Sequence, residues 1–425
     1  MNLQSNDNRS FDDISETLTA EGERIETPRD ARSTKDDMED YVFIRPRRHR
    51  HSHSSSHSDS STHHRHSHHK HHHKKRLKKW QKVLIGIVSG LLALVLLLVG
   101  TAVFLVLKGQ SEMFSKDINI ISPKSDEIEA EVQENGKYIV YDGSTYKLNE
   151  NITSMLFIGV DKKNLEDEYK YGGAMGQSDA LVLMAIDTDA GKIKMIPIPR
   201  DTMTEVAVYS KNGTYTGMEE MQICLAYAFG DGKETSCENT VRTVERLFYN
   251  IPVNTYYALD LDGIVYLNDA LGGIDVVSPN TVEVYGNNGL AYSFEEGESY
   301  HLEGRWSEAF LRSRAHDSAN ASLARMERQK AYVKSFLQTG IQKTKKDLSL
   351  PLTLFNASAP YSCTNLNPAK VTYLAKEVAT GNGMDFEFVS VPGSATLNKE
   401  EYAEFRIDEK KFYEMFLSVY YEKVE

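Results

Sequence analysis

Residues Val83 to Leu107 form an unbroken run of 25 apolar or small side chains with no charge inside it. At about 1.5 Å of rise per residue, a helix of that length crosses a hydrocarbon core of about 30 Å. The run therefore divides the chain into a short polar part before it and a large part after it. The preceding block holds Lys74, Lys75, Arg76, Lys78, Lys79 and Lys82, with Trp80 among them. Cationic flanks stay on the cytoplasmic side, and an interfacial tryptophan suits the headgroup zone. Residues 1–82 are thus expected inside the cell, 83–107 as one transmembrane helix, and 108–425 outside. The alternative is a cleaved signal peptide, but the run's length and its start after more than 80 residues argue against that.

Charge divides the chain the same way. Residues 1–44 carry a net −7 and residues 45–82 a net +11, leaving −16 for the rest of a chain whose total is −12. The basic stretch would be drawn to anionic lipid headgroups. The acidic outer part has no global attraction for nucleic acid, so none is expected as a partner. Any anion it binds must be held by a local cationic cluster or a metal ion. Residues 1–82 are short of aliphatic side chains and read as a disordered tail. Between His49 and His73 lie 12 of the 14 histidines. They read as a weakly cationic spacer, with metal capture as the alternative. Residues 108–137, polar and poor in aromatics, read as a stalk.

From residue 138 the pattern changes. Tyr138 to Tyr141 and Thr145 to Leu148, separated by a turn at Asp142-Gly143, predict a hairpin. Met155 to Val160, Ala180 to Ile186 and Ile193 to Ile198 are continuous apolar runs, as in strands buried on both faces. Asp187 to Lys192 joins the last two as a hairpin loop. Ser236 is a candidate cap for a helix bearing Val241, Val244, Leu247 and Phe248. Tyr256 to Leu261 and Ile274 to Val277 read as strands. Gly263 to Leu271 (ended by Gly272-Gly273), Trp306 to Leu311 and Leu323 to Gln342 read as helices. Buried strands with helices between them predict an α/β domain with a central mixed sheet covered on both faces. Residues 138–345 are its main body, and 346–425 complete it or form a small appendage. Three cysteines, Cys224, Cys237 and Cys363, are too few for a disulfide scaffold. A Cys224–Cys237 bridge is conceivable.

The outer part lacks a Gly-x-Ser-x-Gly elbow, a His-Glu-x-x-His pair and a Walker loop. It instead places acids and arginines where buried strands end. Asp161 follows one apolar run and Asp179 precedes another. Two carboxylates at neighbouring strand mouths can share Mg²⁺, which keeps water and takes phosphate oxygens; the alternative is that each caps a turn. Arg200 ends the third run, followed by Asp201. Arg312 and Arg314 share a face if their segment is extended, which suits a phosphate group, and diverge if it is helical. Arg325, Arg328 and Gln329 begin a long helix. Each arginine alone could equally be a surface ion pair.

Taken in order, Ile158-Gly-Val-Asp161, Gln177-Ser-Asp179, Ile198-Pro-Arg-Asp201, Ala226-Tyr-Ala-Phe-Gly230, Asp262-Gly263, Asp269-Ala-Leu-Gly-Gly-Ile-Asp275, Arg312-Ser-Arg314 and Arg325-Met-Glu-Arg-Gln329 resemble the LytR-CpsA-Psr family of cell-wall assembly proteins. The resemblance implies a three-layer α/β/α fold outside a bacterial membrane. It implies a phosphotransferase that moves a teichoic acid or capsule glycopolymer from an undecaprenyl pyrophosphate carrier to peptidoglycan. It implies Mg²⁺ at Asp161 and Asp179, with Arg200 beside them in catalysis. Arg200, Arg312 and Arg314 would hold the pyrophosphate, with Arg325 and Gln329 adjacent. The buried strands would also line a channel for the polyprenyl tail. The sequence departs from the family pattern at Gln177, where an arginine is usual, at Gln222, where a lysine or similar group is usual, and at Ser322, in a stretch lacking the usual acid. A non-catalytic member that binds such glycans and scaffolds wall assembly is the alternative. A third reading, a transcriptional attenuator, finds no helix-turn-helix pattern in the tail.

Overall fold

The computed structural model describes residues 78–125, 127–161, 176–285, 291–313, 321–380, 385–398 and 403–424. Residues 1–77 of the tail, Arg314 and His316 lie outside them. The chain divides into two units, Met1–Gly90 and Leu91–Glu425. In the first, the described residues begin helix α1, Lys79–Met113, the one helix among the described residues long and apolar enough to cross a membrane. Its apolar side chains are largely exposed.

In the second unit the chain runs β1 (Ala130–Gln133), β2 (Tyr138–Tyr141), β3 (Ser144–Leu148), β4 (Ile152–Val160), β5 (Ser178–Asp187), β6 (Lys192–Ile198), β7 (Met203–Tyr209) and β8 (Tyr215–Gln222). A 3-10 segment, Ile223–Phe229, leads into α2 (Glu234–Leu247), β9 (Val253–Leu259) and α3 (Leu261–Ala270). Next come β10 (Ile274–Val277), β11 (Val282–Tyr285), β12 (Ala291–Phe294), β13 (Ser299–Leu302), α4 (Arg305–Arg312), α5 (Ala321–Thr344) and α6 (Leu350–Ser358). The chain closes with β14 (Ser362–Thr364), α7 (Pro368–Thr380), β15 (Asp385–Phe388), β16 (Gly393–Leu397), β17 (Ala403–Ile407), α8 (Glu409–Tyr420) and β18 (Tyr421–Lys423).

The central sheet has the order β14-β9-β4-β5-β6-β15. It is mixed: β4 runs parallel to β9 and antiparallel to β5, and β15 runs parallel to β6. Side chains alternate between its faces. Leu156, Ile158, Leu183 and Ile196 pack with Val241 and Val244 of α2 and Phe412 and Phe416 of α8. On the opposite face Met155, Val182, Met184 and Met195 pack with Val333 and Leu337 of α5 and Leu374 of α7. Burial on both sides explains the continuous apolar runs and yields the three layers α/β/α. A satellite core of Leu271, Ile274, Phe294, Phe310 and Tyr332 joins β10–β13 to α3, α4 and α5.

Three local readings change. Residues 108–137 do not stand clear as a stalk: Met113, Ile120 and Ile128 are buried, because these isolated apolar side chains fill gaps in the domain surface. Ser236 lies inside the first turn of α2, where its hydroxyl accepts from the Gly232 N–H at 2.8 Å. The capping is done by Asp231, whose carboxylate accepts from the N–H groups of Lys233 (2.8 Å) and Ser236 (3.2 Å). Cys224 and Cys237 are not partners: Cys224 sits by Gln177 and Arg200, whereas Cys237 sits by Cys363. Residues 346–425 supply β15 and β14 to the central sheet and α8 to its core.

Candidate functional site

The site is set by strand register. Val160 pairs with Ser178 at the end of β4, and the Asp161 N–H donates to the Gln177 carbonyl at 3.4 Å. Leu181 pairs with Ile198, and the same antiparallel register carried two residues further sets Arg200 opposite Asp179. Directly opposed side chains on neighbouring strands share a face and touch. The Arg200 guanidinium accordingly donates through Nη1 to Asp179, through Nη2 to Gln177 Oε1 at 2.6 Å, and lies with Nε 3.5 Å from Asp201. The 3-10 segment after β8 fixes its backbone, since the Cys224 N–H donates to the Arg200 carbonyl at 3.2 Å.

Arg312 comes from a different element. It ends α4, whose Phe310 and Leu311 are buried in the satellite core. Its guanidinium lies 3.4 Å from Asp161 and 3.0 Å from Glu308. Ser313 then takes an extended conformation (φ −58°, ψ 139°), so the helix stops at Arg312. The position of Arg314 relative to Arg312 lies outside the described residues. Arg325 acts electrostatically on Asp201 and so belongs to the same neighbourhood. The Gln329 amide donates to the Leu311 carbonyl at 3.4 Å, which ties α5 to the end of α4. Arg328 is different in kind. It is 1 % exposed and donates to the carbonyls of Phe310 (3.1 Å) and Ser313 and to Asn280 Oδ1.

Burial pulls the Arg200 guanidinium down, but the charges of Asp179 and Asp201, with the Asp179 hydrogen bond, more than restore it, so it titrates above its ordinary value. Burial raises the Asp201 carboxyl, and Arg200 offsets only part of that. Burial pushes the Cys224 thiol up to about 11, against the pull of Arg200. Cys224 is therefore a neutral thiol at pH 7 and no nucleophile.

Around the cleft Arg200, Arg312 and Arg325 face Asp161, Asp179, Asp201 and Glu308. Three cations against four carboxylates give a formal −1 among the described residues. The formal charge of these described groups does not by itself favour a diphosphate. Asp161 and Asp179, with side chains 47 % and 24 % exposed, offer a hard cation oxygen ligands and leave room for water and phosphate oxygens. The donor set fits magnesium. It does not fit a closed zinc site, since no group of three His, Cys, Asp or Glu suited to a metal occurs among the described residues. A cavity of about 550 Å³ lies at the other end of α4, lined by Asp269, Gly273, Glu303, Gly304 and Trp306. Its two carboxylates and lack of a cation make it unsuited to the diphosphate.

Sequence reasoning missed Cys224 and the contact that Gln177 makes. Gln177 accepts from Arg200, and Cys224 fills the space beside it. Gln177 already stood in the motif; nothing in the sequence marked Cys224.

A mixed three-layer α/β/α domain with arginine–carboxylate pairs at the ends of adjoining strands is thus the class of protein this chain defines. The LytR_cpsA_psr family pattern matches residues 116–417, and the chain belongs to that family. It is 34 % identical over 189 residues, 44 % of this chain and 53 % of the relative, to the polyisoprenyl-teichoic acid–peptidoglycan teichoic acid transferase TagU of Halalkalibacterium halodurans. It is 32 % identical over 186 residues, 43 % of this chain and 42 % of the relative, to the transferase of the same description, TagV, of Bacillus subtilis. The chain thus spans about half the length of these curated relatives. The crystal structure of protein gbs0355 from Streptococcus agalactiae shares the fold, with a TM-score of 0.52 at 20 % identity over 63 % of this chain and 86 % of that one.

Proposed function

We propose that this chain is a membrane-anchored phosphotransferase that moves a glycopolymer, of teichoic acid or capsule type, from an undecaprenyl-pyrophosphate carrier to peptidoglycan. The N-terminus lies in the cytoplasm and the domain outside. The observation that carries the reading is the pairing of Arg200 with Asp179 and of Arg312 with Asp161 at one end of the sheet. Phosphoryl transfer asks mainly for positioning and for stabilisation of charge on phosphate oxygens, which guanidinium groups supply without a histidine base. The acceptor hydroxyl attacks the phosphorus bonded to the glycan, the bridging P–O bond breaks, and the carrier leaves as polyprenyl phosphate. Arg200 and Arg312 exchange their carboxylate partners for the diphosphate oxygens. Arg314, Arg325 and Gln329 flank that anion. Asp161 and Asp179 would hold Mg²⁺, which when bound supplies positive charge to the phosphate oxygens. The apolar layer of the sheet takes the polyprenyl tail.

Gln177 favours a second reading. It stands where the family pattern has an arginine, and it accepts from Arg200 instead of adding a charge. A cleft with one cation fewer could bind the carrier glycan and scaffold wall assembly without turnover. The deciding experiment uses the full chain in liposomes with a lipid-pyrophosphate-linked glycan, a peptidoglycan acceptor and Mg²⁺. Release of polyprenyl phosphate, lost in Asp179→Ala and on chelation, supports the transferase. Donor bound but never cleaved supports the scaffold.

A further inference from the structure

Cys237 and Cys363 lie 126 residues apart in sequence and meet in space. Cys363 is the middle residue of β14, the edge strand, and pairs with Ala258 of β9. Opposed residues on paired strands point to the same face. Ala258 packs on the α2 side of the sheet, whereas its neighbour Tyr257 turns to the other side and bonds Ser358 of α6. The register therefore directs the Cys363 thiol toward α2. There Cys237, fully buried on α2, faces it, and α2 and β14 are in contact. Both side chains join the same apolar cluster. The third cysteine cannot compete, since Cys224 lies beside Gln177 and Arg200.

We propose that Cys237 and Cys363 are a disulfide-forming pair that covalently ties helix α2 to edge strand β14 when the domain meets a disulfide oxidant. Both are thiols in the structure described here. The order of events follows from their surroundings. Cys363 is the more exposed of the two, and the neighbouring Cys237 thiol holds that of Cys363 below the ordinary thiol range. Its thiolate attacks a partner disulfide R–S–S–R, forming Cys363–S–S–R and releasing one thiolate, RS⁻. That thiolate takes the Cys237 proton. The Cys237 sulfur then attacks the Cys363 sulfur, and the second R–S⁻ leaves and is protonated from solvent. Two protein thiols are oxidised and one external disulfide is reduced to two thiols. The product clamps a three-residue edge strand that is otherwise held by β9 alone within the sheet. The pairing does not depend on the transferase reading. Only the supply of oxidant in the cell depends on which side of the membrane the domain lies.

The test treats the full chain in detergent with oxidised glutathione, then alkylates the remaining thiols and maps peptides without reduction. The expected result is one cross-linked peptide pair joining Cys237 to Cys363, lighter by two hydrogens, with Cys224 alone alkylated after unfolding. Oxidation should also raise the melting temperature by ~5 °C, and Cys363→Ser should abolish both changes while Cys224→Ser leaves them. A link from Cys224 to either partner would overturn the proposal. So would a stable glutathione adduct on Cys363 that Cys237 never resolves, or three alkylatable thiols after oxidation. Because Cys363→Ser could weaken the fold, Cys237→Ser is read alongside it. Trapping of the glutathione adduct on Cys363 in that variant identifies the attacking thiol.

Discussion

Replacing Arg328 by methionine isolates the group that fixes the end of α4. The side chain is 1 % exposed, and its three partners, Phe310 O, Ser313 O and Asn280 Oδ1, are neutral oxygens. Each charge-assisted bond is worth about 1.5–3 kcal/mol, so three amount to about 4–9 kcal/mol. Against that, burial pulls the guanidinium down, and removing a buried charge returns several kcal/mol of desolvation. Methionine is also flexible and fills most of the vacated space. The net loss is ~3 kcal/mol, and at about 2–3 °C per kcal/mol the melting temperature falls by ~6–9 °C. Lysine, which keeps the charge but not the fork, should lose about half as much. The assay is thermal unfolding of the full chain in detergent, followed by tryptophan and tyrosine fluorescence. Donor affinity should fall as well, because Arg312 loses its fixed backbone. A melting temperature for Arg328→Met within 2 °C of the parent would refute the reasoning, since the two carbonyls would then need no donor.

Four further outcomes follow from the same structure. Arg200→Ala should slow polyprenyl phosphate release by about 10²–10³-fold, the loss typical of one oxyanion-stabilising donor, read as initial rates at saturating donor. Cys224 should resist iodoacetamide at pH 7 in the native protein, with its labelling rate climbing about tenfold per pH unit toward a plateau near pH 11, its thiol being pushed up to about 11. Asp231→Ala should cost about 1 kcal/mol by removing the cap of α2. Burial raises the Asp231 carboxyl, but the N–H donors of Lys233 and Ser236 outweigh it and hold it below the ordinary range. Its stabilisation is therefore complete above the unfolded carboxyl range, near pH 4, and is lost as pH falls through the lower native value, so the parent and variant melting curves should converge in acid. Gly109→Ala should loosen α1 from α7, because a Cβ there collides with the Ala369 carbonyl; expected is a loss of about 1–3 kcal/mol and faster proteolysis after residue 113.

Much of the fold was legible because burial on both faces writes itself into sequence. The runs at Met155–Val160, Ala180–Ile186 and Ile193–Ile198 appear as β4, β5 and β6, the first two longer by three residues and the third by one. The turn at Asp142-Gly143 has positive φ at both residues (46° and 67°), as a two-residue hairpin requires. The β7–β8 ribbon was not legible. Glu205, Glu219 and Glu220 face solvent there, and a two-stranded ribbon outside the main sheet has no continuous buried stripe to advertise it. Nor could pattern alone place β15 beside β6, since that pairing joins residues about 190 positions apart. The acids and arginines of the cleft were legible as positions at strand ends. Their pairing was not, because it rests on register: a shift of one residue would send Arg200 to the other face. Periodicity also could not separate Arg325, which acts on Asp201, from Arg328, which is consumed by backbone oxygens.

The last turn of α1 is built into the folded domain. Gly109 lies against Ala369 and Tyr373, the Thr153 hydroxyl donates to the Met113 carbonyl, and the Lys116 amine meets Glu245 at 2.6 Å. These contacts hold the end of the helix against the domain before the chain runs on through residues 114–125 and 127–129, which carry no helix or strand. The end of α1, with Lys116 just beyond it, thus touches α7, α2 and β4, the strand that leads into Asp161.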